Sequence, residues 1–340
     1  MIYKKNKLTF SGFDIGFLAR KFKTPIYCYS LKKIKDNILN LKHHFKKIDP
    51  LICYAVKANT NITILKEIKN HNLGADVVSI GELMKALKAG IKPHKIVFSG
   101  VGKTPLEIEY AIAKNILLIN AESKSEILEI EKIAKKKRKI VNVGIRLNPN
   151  TDAQTISQIS TGKKENKFGV DKKMFLQLVD YSKYSKYLNL KCLSVHIGSQ
   201  ILNHKPYKNM LKIVDGIIKK TGYNFEYIDL GGGMGIDYAH NNSKLDLKKY
   251  SQEIEKFLKK NSSKIIFEPG RCIVGNAAIL ITQIIYIKEG YKKDFVILDA
   301  AMNDLMRPAL YGAQHKIVSS KQIKKISKKS YEFVGPICES

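Results

Sequence analysis

Arginine is scarce in this chain. Lys and Arg together number 60, yet the arginines are only Arg20, Arg138, Arg146, Arg271 and Arg307. Acidic residues are scarce too: 30 Asp and Glu leave a formal net charge of +30. Cysteine is limited to Cys28, Cys53, Cys192, Cys272 and Cys338. An odd count without a C-x-x-C pair argues against a disulfide framework and a zinc site. Cys28, Cys53, Cys192 and Cys272 sit in apolar runs and read as small core filler. The few arginines stand out against the lysine background, because only arginine offers a planar, bidentate donor.

Other absences narrow the function. No run reaches the roughly 20 apolar residues of a membrane span, and the opening MIYKKNKLTF lacks a signal-type apolar core. The expectation is a soluble cytoplasmic protein with no membrane partner. Zinc-finger spacing, an RNP signature and a basic strip interleaved with aromatics are all missing. Lysines are scattered over the helix-like stretches, and the dense run is Lys135–Lys139. The charge therefore reads as background, and no nucleic-acid partner is expected. There is no low-complexity linker and no repeat beyond a strand–helix alternation.

That alternation is the main positive signal. The β-branched runs ICYAVKA, GADVVS, KIVFSG, LLIN, VNVGIRLN, CLSVHIG, YIDLGGG and IIFEPG alternate with stretches of helical period near 61–72, 81–90, 105–114, 124–137, 171–187, 205–221 and 246–260. Thr104-Pro105-Leu106-Glu107 has the residues of a capping box with Pro at the first helical position, and Ser123 with Glu126 repeats the box. Strands each followed by a helix predict a parallel (β/α)8 barrel. An open doubly wound sheet would carry a Gly-rich first turn, but here that turn is Asn59-Thr60-Asn61. TPIYCYS near the start, and AAILITQIIYIKEG, DFVILDAAM and YEFVG after residue 270, predict a second, β-rich domain built from both chain ends. The expected division is 1–30, first part of the β domain; 31–272, the barrel; 273–340, the rest of the β domain, incomplete.

Barrel active sites lie at the C-terminal ends of the strands. Polar residues interrupt the apolar runs at those ends: Lys57, Asp76 and Ser79, Ser99-Gly100, Asn120, Arg146 and Asn148, His196 and Ser199, Gly231-Gly232-Gly233, and Glu268-Pro269-Gly270-Arg271. One rim collects them all. A lysine on a largely apolar rim has a depressed pKa and forms a Schiff base readily. Successive glycines, with a hydroxyl from Ser199, suit a phosphate. A carboxylate such as Glu268 holds a pyridine nitrogen protonated, and His196 stacks on the ring. Taken together they point to pyridoxal phosphate. Taken singly, each has a plainer reading: a surface lysine, a glycine turn, a satisfied histidine.

In order along the chain, YAVKAN, GADVVSIGEL, FSGVGKT, IRLNPN, KFGV, HIGSQI, IDLGGGMGIDY, EPGRCIVGNAAIL, MNDLMRPALYGAQH and GPICES resemble the barrel-type pyridoxal-phosphate decarboxylases, and among them most closely the diaminopimelate decarboxylases. The resemblance runs from about residue 12. It implies that Lys57 carries the cofactor and His196 stacks on it. Ser199, Gly231, Gly232, Gly233 and Arg271 would bind its phosphate, and Glu268, followed by Pro269 and Gly270, would hold the ring nitrogen. Arg271, Arg307, Tyr311 and Glu339 match substrate-binding positions. Cys338 matches the residue that protonates the carbon left by CO2, and in the family it comes from the neighbouring subunit. A homodimer with shared active sites is implied, turning meso-diaminopimelate into L-lysine. Similar ornithine decarboxylases carry Asp where Glu339 stands, and a second substrate carboxylate suits Arg307. The family pattern continues past Cys-Glu-Ser, and includes a later tyrosine, whereas this sequence ends at Ser340. The expectation is a shortened chain that binds cofactor but turns over poorly. The competing readings are a non-catalytic homologue, a decarboxylase of another basic amino acid such as ornithine, and a basic binding module.

Overall fold

The alternation of short β-branched runs with capped helices closes into a ring. The computed structural model describes residues 1–153, 161–162, 165–238, 243–323 and 329–338. In it, strands β1 (Leu51–Ala55), β2 (Gly74–Val77), β3 (Ile96–Phe98), β4 (Leu118–Ala121), β5 (Val141–Leu147), β6 (Leu188–Val195), β7 (Tyr227–Asp229) and β8 (Lys264–Phe267) pair in parallel in that order. Strand β8 returns to β1 through Ile266–Leu51 and Phe267–Ile52. This closure rules out the open doubly wound sheet.

Helices follow the strands: α1 (Ile62–Asn70), α2 (Ile80–Lys88), α3 (Pro105–Ala113), α4 (Lys124–Lys137), α5 (Lys172–Tyr184), α6 (Lys205–Thr221) and α7 (Leu247–Leu258). Their starts obey local chemistry. Thr104 and Glu107 make the full capping box on α3, and Ser123 accepts from the Glu126 N–H at the start of α4. Asn61, Ser79, Asp171 and Asp246 cap α1, α2, α5 and α7. Each such cap contributes about 1 kcal/mol. After β8 the chain makes only a short turn of helix, Arg271–Val274. The helix Leu31–His44, ahead of β1, covers that part of the ring. It buries Ile34, Ile38 and Leu41, Asn37 Nδ2 donates to Ile273 O at 2.8 Å, and the following Phe45 packs on Phe267 and Tyr250.

Inside the ring, Cys53, Val97, Leu118, Cys192 and Ile266 form one fully buried cluster. Cys53 and Cys192 are therefore core filler, and burial pushes both thiols well up in pKa. Cys28 and Cys272 are only partly buried. The layer nearer the strand ends is polar, with Asp76, Ser99, Asn120, Arg146, Ser194 and Asp229 all buried.

The other compact unit comprises residues 1–33, 237–243 and 276–340; the barrel unit comprises 34–236 and 244–275. Ile2–Lys4, Lys7–Phe10 and Phe13–Asp14 form an antiparallel sheet. Asp14 caps the helix Ile15–Phe22. Ile26–Tyr29 pairs antiparallel with Ala278–Ile281, which unites the two chain ends in one fold. Leu8, Ile15 and Ile281 centre its core. In a further sheet, Asp294–Leu298 lies between Ile284–Lys288 and Tyr331–Val334. The strand Ile284–Lys288 is exposed along its length, and Tyr331–Val334 forms the opposite edge. Among the described residues, no helix is long and apolar enough to cross a membrane.

Candidate active site

The rim residues of the barrel unit converge. Lys57 lies just past β1, in a tight turn over Val56–Ala58. Ala55 is in register with Asp76 on β2, so the two side chains meet: Lys57 Nζ is 2.6 Å from Asp76 Oδ2. The lysine side chain is half exposed, whereas Asp76 is fully buried. The depressed lysine pKa expected from its apolar chain neighbours is not found. Burial pulls the ammonium down, but the carboxylates of Asp76 and Glu268 outweigh it and the net shift is upward. The ion pair with Asp76 therefore favours the charged form of the lysine. The other Asp76 oxygen, Oδ1, is buried without a hydrogen-bond partner.

Glu268 follows β8 and Asp229 ends β7, and these strands are neighbours. Each carboxyl perturbs the titration of the other. Ser99 Oγ donates to Glu268 Oε1 at 3.0 Å. Asn120 Nδ2 and Ser194 Oγ donate to Asp229 Oδ2 at 2.9 and 3.2 Å, and the Gly231 N–H donates to its Oδ1 at 2.9 Å. Burial, then the nearby Asp229 and Asp76, push Glu268 well above the usual carboxylate range. Burial likewise raises Asp229 to about 6. Each carboxylate disfavours ionisation of the other, and burial acts in the same direction.

His196 follows β6. Its Nδ1 accepts from the Gly232 N–H at 3.1 Å. Burial, together with the positive charges of Arg146 and Lys57, holds it well below the ordinary imidazole value, leaving a neutral ring. Gly231 and Gly233 have φ of +64° and +84°. A Cβ on Gly231 would lie 2.5 Å from His196 Nδ1, and one on Gly232 would lie 2.2 Å from Glu268 O. Only glycine permits this approach. Arg271 Nε and Nη2 each donate to Ser199 Oγ at 3.3 Å, placing a cation beside a hydroxyl. Pro269 O accepts from the Ala55 N–H at 3.0 Å, and a Cβ on Gly270 would lie 2.9 Å from Ala58 Cβ, so both residues brace the turn that carries Lys57.

These observations fit pyridoxal phosphate: a lysine paired with a carboxylate at 2.6 Å, a buried glutamate held well above the usual carboxylate range, an arginine paired with a hydroxyl, and a close-packed glycine run beside them. Among the described residues, no group of three or more His, Cys, Asp or Glu is placed to hold a metal ion.

Two partners had no assigned role in the sequence reading. Asp229 is the acid immediately before the glycine run. The second is Glu122, just past β4, which accepts from Arg146 Nη1 at 2.9 Å and from the Gly100 and Gly169 N–H groups at 2.9 and 3.0 Å. It thereby ties together the ends of β3 and β5 and the KFGV segment. In each case the signal was a carboxylate breaking an apolar strand end. Arg307, Tyr311 and Cys338 belong to the β-rich unit; Cys338 is exposed. Glu339 lies outside the described residues.

The state of His196 leads to a stability prediction. Its folded pKa lies below the roughly 6.5 of an unfolded histidine, so the unfolded chain binds the proton first. Stability is thus lost as pH falls below that value. Urea unfolding of cofactor-free protein at pH 7.5 and 5.5 is expected to show the wild type losing up to about 1.4 kcal/mol more than His196→Gln. Equal losses would mean that the imidazole protonates freely in the fold.

Residues 31–275 match the family described as "Pyridoxal-dependent decarboxylase, pyridoxal binding domain". A diaminopimelate decarboxylase of Helicobacter pylori (strain J99) is 45% identical over 333 residues, covering 96% of this chain and 82% of its own length. That of Aquifex aeolicus is 40% identical over 343 residues, with 99% and 80% covered. The crystal structure of the M. jannaschii diaminopimelate decarboxylase in complex with L-lysine superposes with a TM-score of 0.92 at 35% identity, covering 99% of this chain and 81% of that one. Lysine on the rim, carboxyl pair, glycine run and overall likeness agree: the chain belongs to the pyridoxal-dependent decarboxylases, in the diaminopimelate decarboxylase family.

Proposed function

We propose that this protein decarboxylates meso-2,6-diaminopimelate to L-lysine with pyridoxal phosphate. The observation that carries the chemistry is the pairing of Lys57 with Asp76 on the same barrel rim as the Glu268–Asp229 carboxyl pair. When bound, the cofactor supplies an aldehyde for a lysine amine and a cationic ring that takes up the electron pair left by CO2. In this reading Lys57 would hold the cofactor, and Asp76 would orient the lysine side chain through the 2.6 Å ion pair. Glu268, its carboxyl held well above the usual range, would sit beside the ring nitrogen and keep it protonated. Neutral His196 stacks on the ring without competing for its charge. Ser199 and Arg271 would hold the phosphate beside the Gly231–Gly233 run, where the Gly231 and Gly232 N–H groups are already engaged by Asp229 and His196.

Substrate choice rests on the likeness to relatives and on charge logic. Arg307 binds the distal carboxylate, and Tyr311, Arg271 and Glu339 complete the substrate contacts. Cys338 of the partner subunit returns a proton to the carbon that loses CO2, which makes the active unit a homodimer with shared sites.

Purified protein supplied with pyridoxal phosphate is expected to release CO2 and L-lysine from meso-diaminopimelate, and to turn over ornithine at least about 100-fold less efficiently, the scale of one lost bidentate contact to a charge. Comparable kcat/KM for the two substrates would overturn the substrate assignment. For the dimer, inactive Lys57→Ala and Cys338→Ala proteins should regain activity on subunit exchange. No recovery despite proven exchange would place both residues in one subunit's site.

A further inference from the structure

The β-rich unit holds one arginine from two sides. Arg307 opens the short helix Arg307–Tyr311. Its guanidinium carbon lies 4.2 Å from the centroid of the Tyr238 ring. Its Nη1 is 3.1 Å from His315 Nε2. The Tyr238 and His315 rings meet edge-on, with centroids 5.4 Å apart at 74°. All three side chains are half-buried, and Tyr238 reaches the other two from a distant stretch of the chain.

The chemistry of this cluster is directional. A guanidinium has donors only, so His315 accepts at Nε2 and carries its proton on Nδ1. The tyrosine face fixes the plane of the guanidinium, and the imidazole fixes its rotation within that plane. A lysine would meet neither constraint, because its ammonium is a point charge on a flexible stem. An arginine held this way loses less rotamer freedom when it receives a carboxylate.

We propose that Tyr238 and His315 are positioning residues that hold the Arg307 guanidinium ready for the distal carboxylate of the substrate, and so set preference for a diamino diacid over a simple diamine. This rests on the reading of Arg307 given under the proposed function. Because the distal carboxylate is remote from the carbon that loses CO2, the effect falls on binding and not on the chemical step.

The test compares Tyr238→Leu and His315→Leu with Tyr238→Phe and His315→Gln, which retain the stacking face and an acceptor. Each Leu variant is expected to raise KM for meso-diaminopimelate roughly tenfold, the scale of one cation–π contact or one hydrogen bond to a charged group, with kcat within about twofold. Inhibition by L-lysine, which keeps the carboxylate, weakens in parallel, and inhibition by cadaverine, which lacks it, does not. The Phe and Gln variants stay near wild type. Unchanged KM in both Leu variants, or equal weakening of lysine and cadaverine, or Phe and Gln variants as damaged as Leu, would each overturn the proposal. If one Leu variant fails to fold, the other position carries the same readouts. Arg307→Lys separates the two levels. If it leaves KM and lysine inhibition unchanged, the reading of Arg307 itself fails. If it raises KM while the Leu variants do not, only the positioning role fails.

Discussion

Lys57→Ala is expected to abolish the covalent capture of pyridoxal phosphate by borohydride and to lower kcat by roughly three orders of magnitude or more, the scale seen when a group that bonds covalently during catalysis is removed. Among the strand-end residues of the barrel unit, Lys57 carries an amine with a carboxylate 2.6 Å away. The substitution itself is structurally mild, because the side chain is half exposed and its loss leaves no core cavity. It does strip Asp76 of its ion pair inside the barrel, and an uncompensated buried carboxylate is costly. Lys57→Ala, Asp76→Asn is therefore expected to melt higher than Lys57→Ala alone. Peptide mapping after reduction checks the first claim and differential scanning calorimetry the second. A borohydride-stable adduct at wild-type level in Lys57→Ala would remove this lysine from the role.

Glu268→Gln is expected to bind the cofactor and still fix it on Lys57, yet to lose about 10²–10³-fold in kcat, in line with removing one preorganised electrostatic contact from a transition state. A neutral amide neither keeps a ring nitrogen protonated nor balances its charge. The same substitution is expected to change stability in the opposite direction. The folded pKa of Glu268 lies well above the ordinary value, raised by burial and then by Asp229 and Asp76. Its contribution to stability is therefore full below the unfolded pKa and drains away as pH rises toward the folded one. Gln carries no such dependence, so the variant should gain on the wild type between pH 5 and 8. Urea denaturation of both proteins without cofactor measures this. Reduced kcat alongside improved stability at pH 8 is the signature of a residue kept for function at a structural cost. A variant with unchanged kcat would free Glu268 of its role beside the ring.

Much of the barrel was legible because its signals are local. Short, continuously buried runs such as ICYA and period-3.6 runs such as Ile64, Leu65 and Ile68 are written in neighbouring positions, as are the Thr104–Glu107 and Ser123–Glu126 caps. The electrostatics were less legible. Lys57 looked desolvated when judged by Val56 and Ala58, its neighbours along the chain. The groups that set its charge lie on β2 and after β8, and reach it only when the ring closes. Asp229 was overlooked for a related reason. Next to a glycine run it reads as part of a turn, and its link to Glu268 becomes visible only once β7 and β8 are side by side. The sheet that joins Ile26–Tyr29 to Ala278–Ile281 could be guessed from β-branched content, but its register depends on residues too distant in sequence for any periodicity to report.

That last pairing has a consequence for how the protein is made. The first strand of the pair leaves the ribosome early, and its partner follows about 250 residues later, a delay of roughly 10–50 s at ordinary elongation rates. Tyr27 and Tyr29, on the waiting strand, remain 39% exposed even in the finished fold, so the nascent segment offers an apolar strand with no partner for the whole interval. The barrel, whose contacts are complete by Gly275, has time to fold within that window. Synthesis therefore imposes an order in which the inserted domain matures before the domain that encloses it in sequence. The strand Ile26–Tyr29 is the part left waiting, and slower translation between residues 50 and 275 would lengthen its vulnerability without altering the folded product.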